Sequence, residues 1–256
     1  LRETLGFTNF INSGIQTIVT SSLQMATAIE SANASLARVT GQGRRFAADV
    51  ETIGLANTNL GLSADGVGKA YGELVVNTAN FNNMSRSVQM EIAETTAQLE
   101  RLGVTTSDSA KIFDLFNNAF GVTGTEAANV ARDMAAMGIA LGVGAEKMNK
   151  DFIGSLPVLA AYGKRSGEVF KGIAAAAKAA GVETSVLIGI AEKFETFSSA
   201  AESAAKLNAV LGTSISPTQM LTMSHEQVVE TLIMQVQSTG MAFNELDRFT
   251  KKAIAA

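Results

Sequence analysis

The chain has 256 residues and no cysteine. That excludes a disulfide framework and any thiolate-held metal or redox pair. Tryptophan is also absent, and there are only two prolines, two tyrosines and one histidine. A lone histidine rules out the paired imidazoles of most zinc sites within the chain. Charged residues make up 17 % of the sequence, against about 25 % in an ordinary soluble domain. With a formal net charge of −4, there is no clustered Lys/Arg surface of the kind that neutralises duplex phosphates. Sequence-specific nucleic-acid binding is therefore not expected. No basic n-region followed by a compact apolar h-region occurs, so no signal peptide is expected.

Ala, Ser, Thr, Gly and Asn stand where charges usually do. The stretch Thr4–Ile29 carries no charged residue. It is long enough to span a bilayer. Its Asn9, Asn12, Gln16, Gln24 and many Ser/Thr argue against a resident transmembrane helix. The chain opens on Leu1 and closes on "FTKKAIAA", a helical pattern, so both ends are expected to be internal to a longer polypeptide.

One phrase recurs: "ERLGVTTSD" at 100–108, "NAFGVTGTE" at 118–126, "IALGVGAEK" at 139–147 and "KAAGVETSV" at 178–186. Glycine takes the left-handed conformation that commonly ends a helix, and the next apolar residue folds back on the last turn. Thr105, Thr123 and Thr184 then stand as caps for a new helix, with Asp108, Glu126, Glu146 and Glu168 in first turns, where acids favour the positive helix end. Each phrase reads as a stop followed by a start. Stops are expected at Gly61, Gly103, Gly121, Gly142, Gly163, Gly181 and Gly212. The fold class is therefore all-α. A long N-terminal heptad helix at 1–60 is followed by an array of Gly-punctuated helical hairpins at 61–212 in the style of an α-solenoid, and by C-terminal helices at 213–256, with chain continuing beyond. "SPTQ" at 216–219 and "SHEQ" at 224–227 read as capping boxes. Pro157 is expected to break or kink its helix just before itself. The longest helix after residue 100 is expected near 184–211, where a weaker heptad run includes Asn208.

The first sixty residues step 4, 3, 4, 3. Ile11, Ile18, Met25, Ala32, Val39, Phe46, Ile53 and Leu60 share one heptad position, and Ile15, Ile29, Leu36 and Val50 occupy the other. Seven heptads suffice for a coiled coil, and an unbroken helix over 8–60 would be about 80 Å long. "TGQGRR" at 40–45 is expected to bend or interrupt it. Ile11, Ile15, Ile18, Met25, Ile29, Leu36, Val39, Phe46, Val50 and Ile53 are the candidate oligomer interface. Ile at both positions shifts preference away from dimers, so three copies are expected. The alternative is that this face packs on the chain's own helices.

Signs of chemistry fail on inspection. "GLSADGVGKA" at 61–70 misses the phosphate-loop pattern at Ser63 and Ala70, and "HEQVV" at 225–229 lacks the second histidine of a zinc-protease helix. His225 reads as a solvated first-turn residue. Glu91/Glu94 and Glu192/Glu195 read as solvated carboxylate pairs, and the methionines as packing. Neither an acid–base dyad nor an activated nucleophile is found, so an enzyme is not expected, and neither is a cofactor or a metal.

The segments "LGLSADGVGKAYGELVVNTANFNNMSRSVQMEIAETTAQLERLGVTTSDSAKIFD" and "AGVETSVLIGIAEKFETFSSAAESAAKLNAVLG" resemble the tail tape measure proteins of tailed bacteriophages. The shared traits are Gly-[Leu/Val]-[Ser/Thr] helix starts, Ala/Gly/Ser-rich amphipathic helices and the absence of cysteine. The likeness covers roughly residues 55–256. It implies a helical homo-oligomer in the lumen of the tail tube that sets tail length, touches tube and baseplate hub or tip proteins, and leaves ahead of the DNA, with transient membrane contact. The low-charge exterior of residues 4–37, where Glu30 is the one charged residue, suits such an enclosure. Two other readings stand beside it: a bacterial helical coiled-coil interaction protein of the envelope or a secretion system, and a membrane-acting helical protein. "GIAAAAKAAG" is too short and Ala-rich for the apolar hairpin the last would need.

Overall fold

The computed structural model describes residues 27–42, 45–57 and 61–238. Every regular element among them is helical, and no strand occurs. Helix α1 covers residues 27–40. It is followed by α2 (Ala47–Ala56), α3 (Ala64–Asn77), α4 (Arg86–Arg101), α5 (Thr106–Asp114), α6 (Gly124–Ala140) and α7 (Ala145–Leu159). Then come α8 (Ser166–Ala180), α9 (Thr184–Glu192), α10 (Phe197–Leu211), α11 (Pro217–Met220) and α12 (His225–Ser238). The chain forms two compact units that divide at Asn129/Val130. Among the described residues no single helix is long and apolar enough to cross a membrane.

All seven expected glycine stops have positive φ, from +54° at Gly163 to +88° at Gly103, and among the described residues no residue other than glycine does. The mechanism is plain at two of them. After α4, Val104 N–H returns to the Leu99 carbonyl at 3.0 Å; after α8, Val182 N–H returns to Ala177 at 3.0 Å. These bonds satisfy carbonyls that the helix end would leave bare, and they need the left-handed residue that Gly103 and Gly181 supply. New helices then start on the expected caps. Thr105 Oγ1 accepts from Asp108 N–H. Thr123 and Glu126 cap each other, with Glu126 Oε2 accepting from Thr123 N–H and Thr123 Oγ1 from Glu126 N–H. Ser224 and Gln227 do the same at α12.

Four expectations are corrected. Thr184 does not cap α9; it is the first helical residue, after Glu183. Ser216 makes no cap bond, although Pro217 does occupy the first turn. Pro157 does not stop α7, which runs on to Leu159 before a 3-10 stretch at Ala160–Arg165 broken at Gly163. The expected long helix over 184–211 is two helices. Thr196 caps α10, its Oγ1 accepting from Ser199 N–H at 3.3 Å while Ser199 Oγ donates to the Thr196 carbonyl. Those short polar side chains compete with the helical ladder for the same backbone groups.

The same succession of helices occurs twice, and the buried registers coincide. In α3 and α7, Ala64, Val67, Gly68, Tyr71 and Leu74 correspond to Ala145, Met148, Asn149, Phe152 and Ser155, all buried. In α4 and α8, Ile92, Thr95, Thr96 and Leu99 correspond to Phe170, Ile173, Ala174 and Ala177. In α5 and α9, both nine residues long, Thr106, Ser109, Ala110, Ile112 and Phe113 correspond to Thr184, Leu187, Ile188, Ile190 and Ala191. The packing matches as well: α3, α4 and α5 touch one another, and so do α7, α8 and α9. The preceding helices, α2 and α6, approach their successors at a glycine. A Cβ at Gly54 would meet Ala64 at 3.4 Å, and one at Gly138 would meet the Gly144 carbonyl at 2.3 Å and Met148 at 2.7 Å.

Candidate functional site

The heptad residues divide three ways. Ile11, Ile15, Ile18 and Met25 lie outside the described residues. Ile29 is half-buried and Val39 is 57 % exposed. Leu36, Phe46, Val50 and Ile53 are buried within their own chain. Helix α1 lies on the small-residue face of α3: a Cβ on Gly68 would stand 3.2 Å from Ala32, and one on Gly72 would stand 3.8 Å from Leu36. The helix ends at Gly41, φ +66°, so the run breaks inside the expected "TGQGRR" segment. Phe46 then stacks on Tyr71 at a 4.8 Å centroid distance, and Phe81 closes the cluster at 6.2 and 5.9 Å.

That aromatic cluster carries a polar one. Asp49 on α2 is 2 % exposed. Its Oδ1 accepts from Arg86 Nε at 2.7 Å, and its Oδ2 from the Tyr71 hydroxyl at 3.3 Å. A buried carboxylate needs both partners, because an unpaired one carries a large desolvation cost. Burial pushes the Tyr71 phenol well above its ordinary value, and the Asp49 charge adds to the shift. The hydrogen bond and charge of Asp49 hold the Arg86 guanidinium above its own ordinary value. Gln89 Nε2 donates to the Phe81 carbonyl at 2.7 Å, and Arg45 lies over the Phe46 ring at 5.2 Å. Arg45, Phe46, Asp49, Met84, Arg86 and Gln89 line an open polar hollow. Paired with Tyr71 of α3 and Arg86 of α4, the Asp49 carboxylate holds α2 against both helices.

A second polar cluster was missed in the sequence. His225, expected in solvent, has a side chain only 11 % exposed. Its Nδ1 lies 2.6 Å from the Tyr162 hydroxyl, and its backbone N–H donates to that same oxygen at 2.7 Å. Nε2 is 3.1 Å from Glu195 Oε1 without the alignment of a hydrogen bond. Three elements of the second unit meet at this ring: the 160–165 turn, the 193–196 linker and the start of α12. The one signal available beforehand was compositional. The chain has two tyrosines beside thirteen phenylalanines, and each tyrosine proves to need its hydroxyl.

The other candidates resolve into helix architecture. Ser63, in the near-match to a phosphate loop, caps α3 by accepting from Gly66 N–H, and Lys69 there pairs with Glu100. Glu91 accepts from Thr125 Oγ1 at 2.6 Å. Asn208 closes the loop after α10, its Oδ1 accepting from Ile215 N–H and Thr213 Oγ1 at 2.8 Å. Among the described residues no three His, Asp or Glu side chains converge as metal ligands. No family model, curated protein or solved structure matches the chain.

Proposed function

We propose that this chain is a structural segment of a tail tape measure protein: a helical homo-oligomer in the lumen of a bacteriophage tail tube, which sets tail length, contacts the baseplate hub or tip and leaves ahead of the DNA. The observation that carries the reading is the Gly-Val stop–start phrase, written on Ala/Ser/Thr/Asn-rich helices and preceded by the uncharged stretch Thr4–Ile29. The twofold succession of helices supports it, since a protein whose length is its output can grow by adding modules. The oligomer, three copies by preference, would be held by the early heptads at Ile11, Ile15, Ile18, Met25 and Ile29, because Phe46, Val50 and Ile53 are already enclosed in their own chain.

The test is made on purified virions. The chain should copurify with tail tube protein. An in-frame deletion of residues 142–211 should give shorter tails. Absence from virions, or an unchanged tail, would overturn the proposal. Sedimentation of the full chain carrying Ile15→Asp and Ile18→Asp reads the oligomer separately; undiminished assembly would rule out the heptad face.

A further inference from the structure

We propose that the Tyr162–His225–Glu195 cluster is a proton-operated latch on the first turn of α12. The inference stands on hydrogen-bond capacity and does not depend on the tape-measure reading. The Tyr162 oxygen accepts the His225 backbone N–H at 2.7 Å. The Glu195 carboxylate 3.1 Å from Nε2 favours a hydrogen on that nitrogen, which leaves Nδ1, 2.6 Å away, to accept the hydroxyl hydrogen. That assigns the neutral ring its hydrogen on Nε2, facing Glu195 Oε1. In this state a single side chain ties the 160–165 turn to the start of α12.

A proton taken from water onto Nδ1 turns that acceptor into a donor. Two N–H groups then point at one phenol oxygen, and the Tyr162 hydrogen has lost its acceptor in a mostly buried place. The new cation also lies at the positive end of α12. Glu195, 52 % exposed, faces the ring from another element, with Oε1 3.1 Å from Nε2. Glu226, on the same first turn, packs instead over Gly172 of α8. The protonated ring therefore exchanges its bond to the 160–165 turn for an ion pair with the 193–196 linker. Helix α12 rests on α8 and α9 and its far end is untouched, so release is confined to the first turn.

Hydrogen exchange on the full chain tests this. Between pH 7.5 and 5, exchange over 225–228, corrected for its intrinsic pH dependence, should speed about fivefold relative to α4, the size expected for one lost hydrogen bond. His225→Asn offers Tyr162 an acceptor oxygen that does not titrate, so it should stay protected at both pH values. Tyr162→Phe should be open at both. A wild-type chain without the pH-dependent loss, or His225→Asn losing protection in step with it, would overturn the latch. If Tyr162→Phe fails to fold, the imidazole nitrogen shifts decide instead. The neutral ring must carry its hydrogen on Nε2, and an Nδ1-protonated neutral ring would overturn the assignment.

Discussion

Helices α3–α5 and α7–α9 are built on the same buried register, yet they solve one position in opposite ways. Tyr71 of α3 and Phe152 of α7 are both fully buried. Tyr71 brings a hydroxyl, and Asp49 on the preceding helix is buried to receive it. Phe152 brings none and packs on Phe170 at 5.1 Å. Asp133, which stands five residues before Gly138 as Asp49 stands five before Gly54, remains at the surface and pairs with Lys171 at 2.9 Å. The shared frame is one of volume and spacing, while polar chemistry varies within it. Leu74 against Ser155 and Thr95 against Ile173 show the same tolerance. A helix face conserves where it is buried more strictly than what fills it, because close packing constrains shape at every site and polarity only where a partner exists.

The comparison can be broken most sharply at the paired glycines. Gly138→Ala forces a Cβ against the Gly144 carbonyl, where backbone cannot yield cheaply, and should cost about 3 kcal/mol in urea unfolding. Gly54→Ala meets Ala64 at ordinary contact distance and should be neutral or slightly stabilising, since alanine is the better helix former. Equal effects at the two sites would show that α2 and α6 do not approach their neighbours equivalently.

Exchanging the aromatics comes next. Phe152→Tyr places a hydroxyl in the second core with no buried carboxylate to receive it and should cost about 2 kcal/mol. Its Tm should fall; an unchanged Tm would mean that a partner reorganises to meet it. At the caps, Thr123→Ala removes a reciprocal pair of bonds and should cost about 1 kcal/mol, whereas Ser216→Ala should leave the unfolding midpoint unmoved, because that side chain caps nothing.

The smallest effect at neutral pH is Tyr71→Phe, about 0.5 kcal/mol, because the 3.3 Å bond is long and Arg86 still serves Asp49. Its signature is in alkali. The folded-state phenol titrates above its unfolded value of about 10, since burial and Asp49 disfavour the phenolate. The native state therefore keeps its proton where the unfolded state has begun to lose it. That stability is fully present below about pH 10 and declines as pH rises past it. Wild type should lose stability above pH 10, and Tyr71→Phe should lose distinctly less over the same range. Parallel curves would show that Tyr71 is not the group responsible.

Much of the fold was legible before any coordinates. All seven glycine stops turn up with positive φ, because the left-handed region is closed to side chains by local sterics alone. Thr105, Thr123 and the Ser224–Gln227 box were readable for a similar reason, since a cap bond spans three residues. Misreadings arose where local signals compete. Thr196 and Ser199 divide a continuous apolar stripe, and Pro157 lies so near the end of α7 that its lost bond interrupts little. The polar clusters left no trace beyond composition, two tyrosines beside thirteen phenylalanines. Asp49 meets Arg86 across 37 residues and His225 meets Tyr162 across 63, and no local pattern marks an aspartate or a histidine as enclosed.

The sequence by itself therefore determined the all-helical class, the seven glycine stops and the caps at Thr105, Thr123 and Ser224, through sterics and hydrogen bonds that act over a few residues. The heptad spacing determined that one face of residues 27–57 would be buried, but not against what: a 4–3 step suits a symmetry mate and a neighbouring helix alike. Tertiary structure decided that Phe46 stacks on Tyr71, that Val50 and Ile53 close inside the same chain, and that the one histidine is enclosed. Burial is a property of what packs around a residue, and those neighbours come from distant parts of the chain.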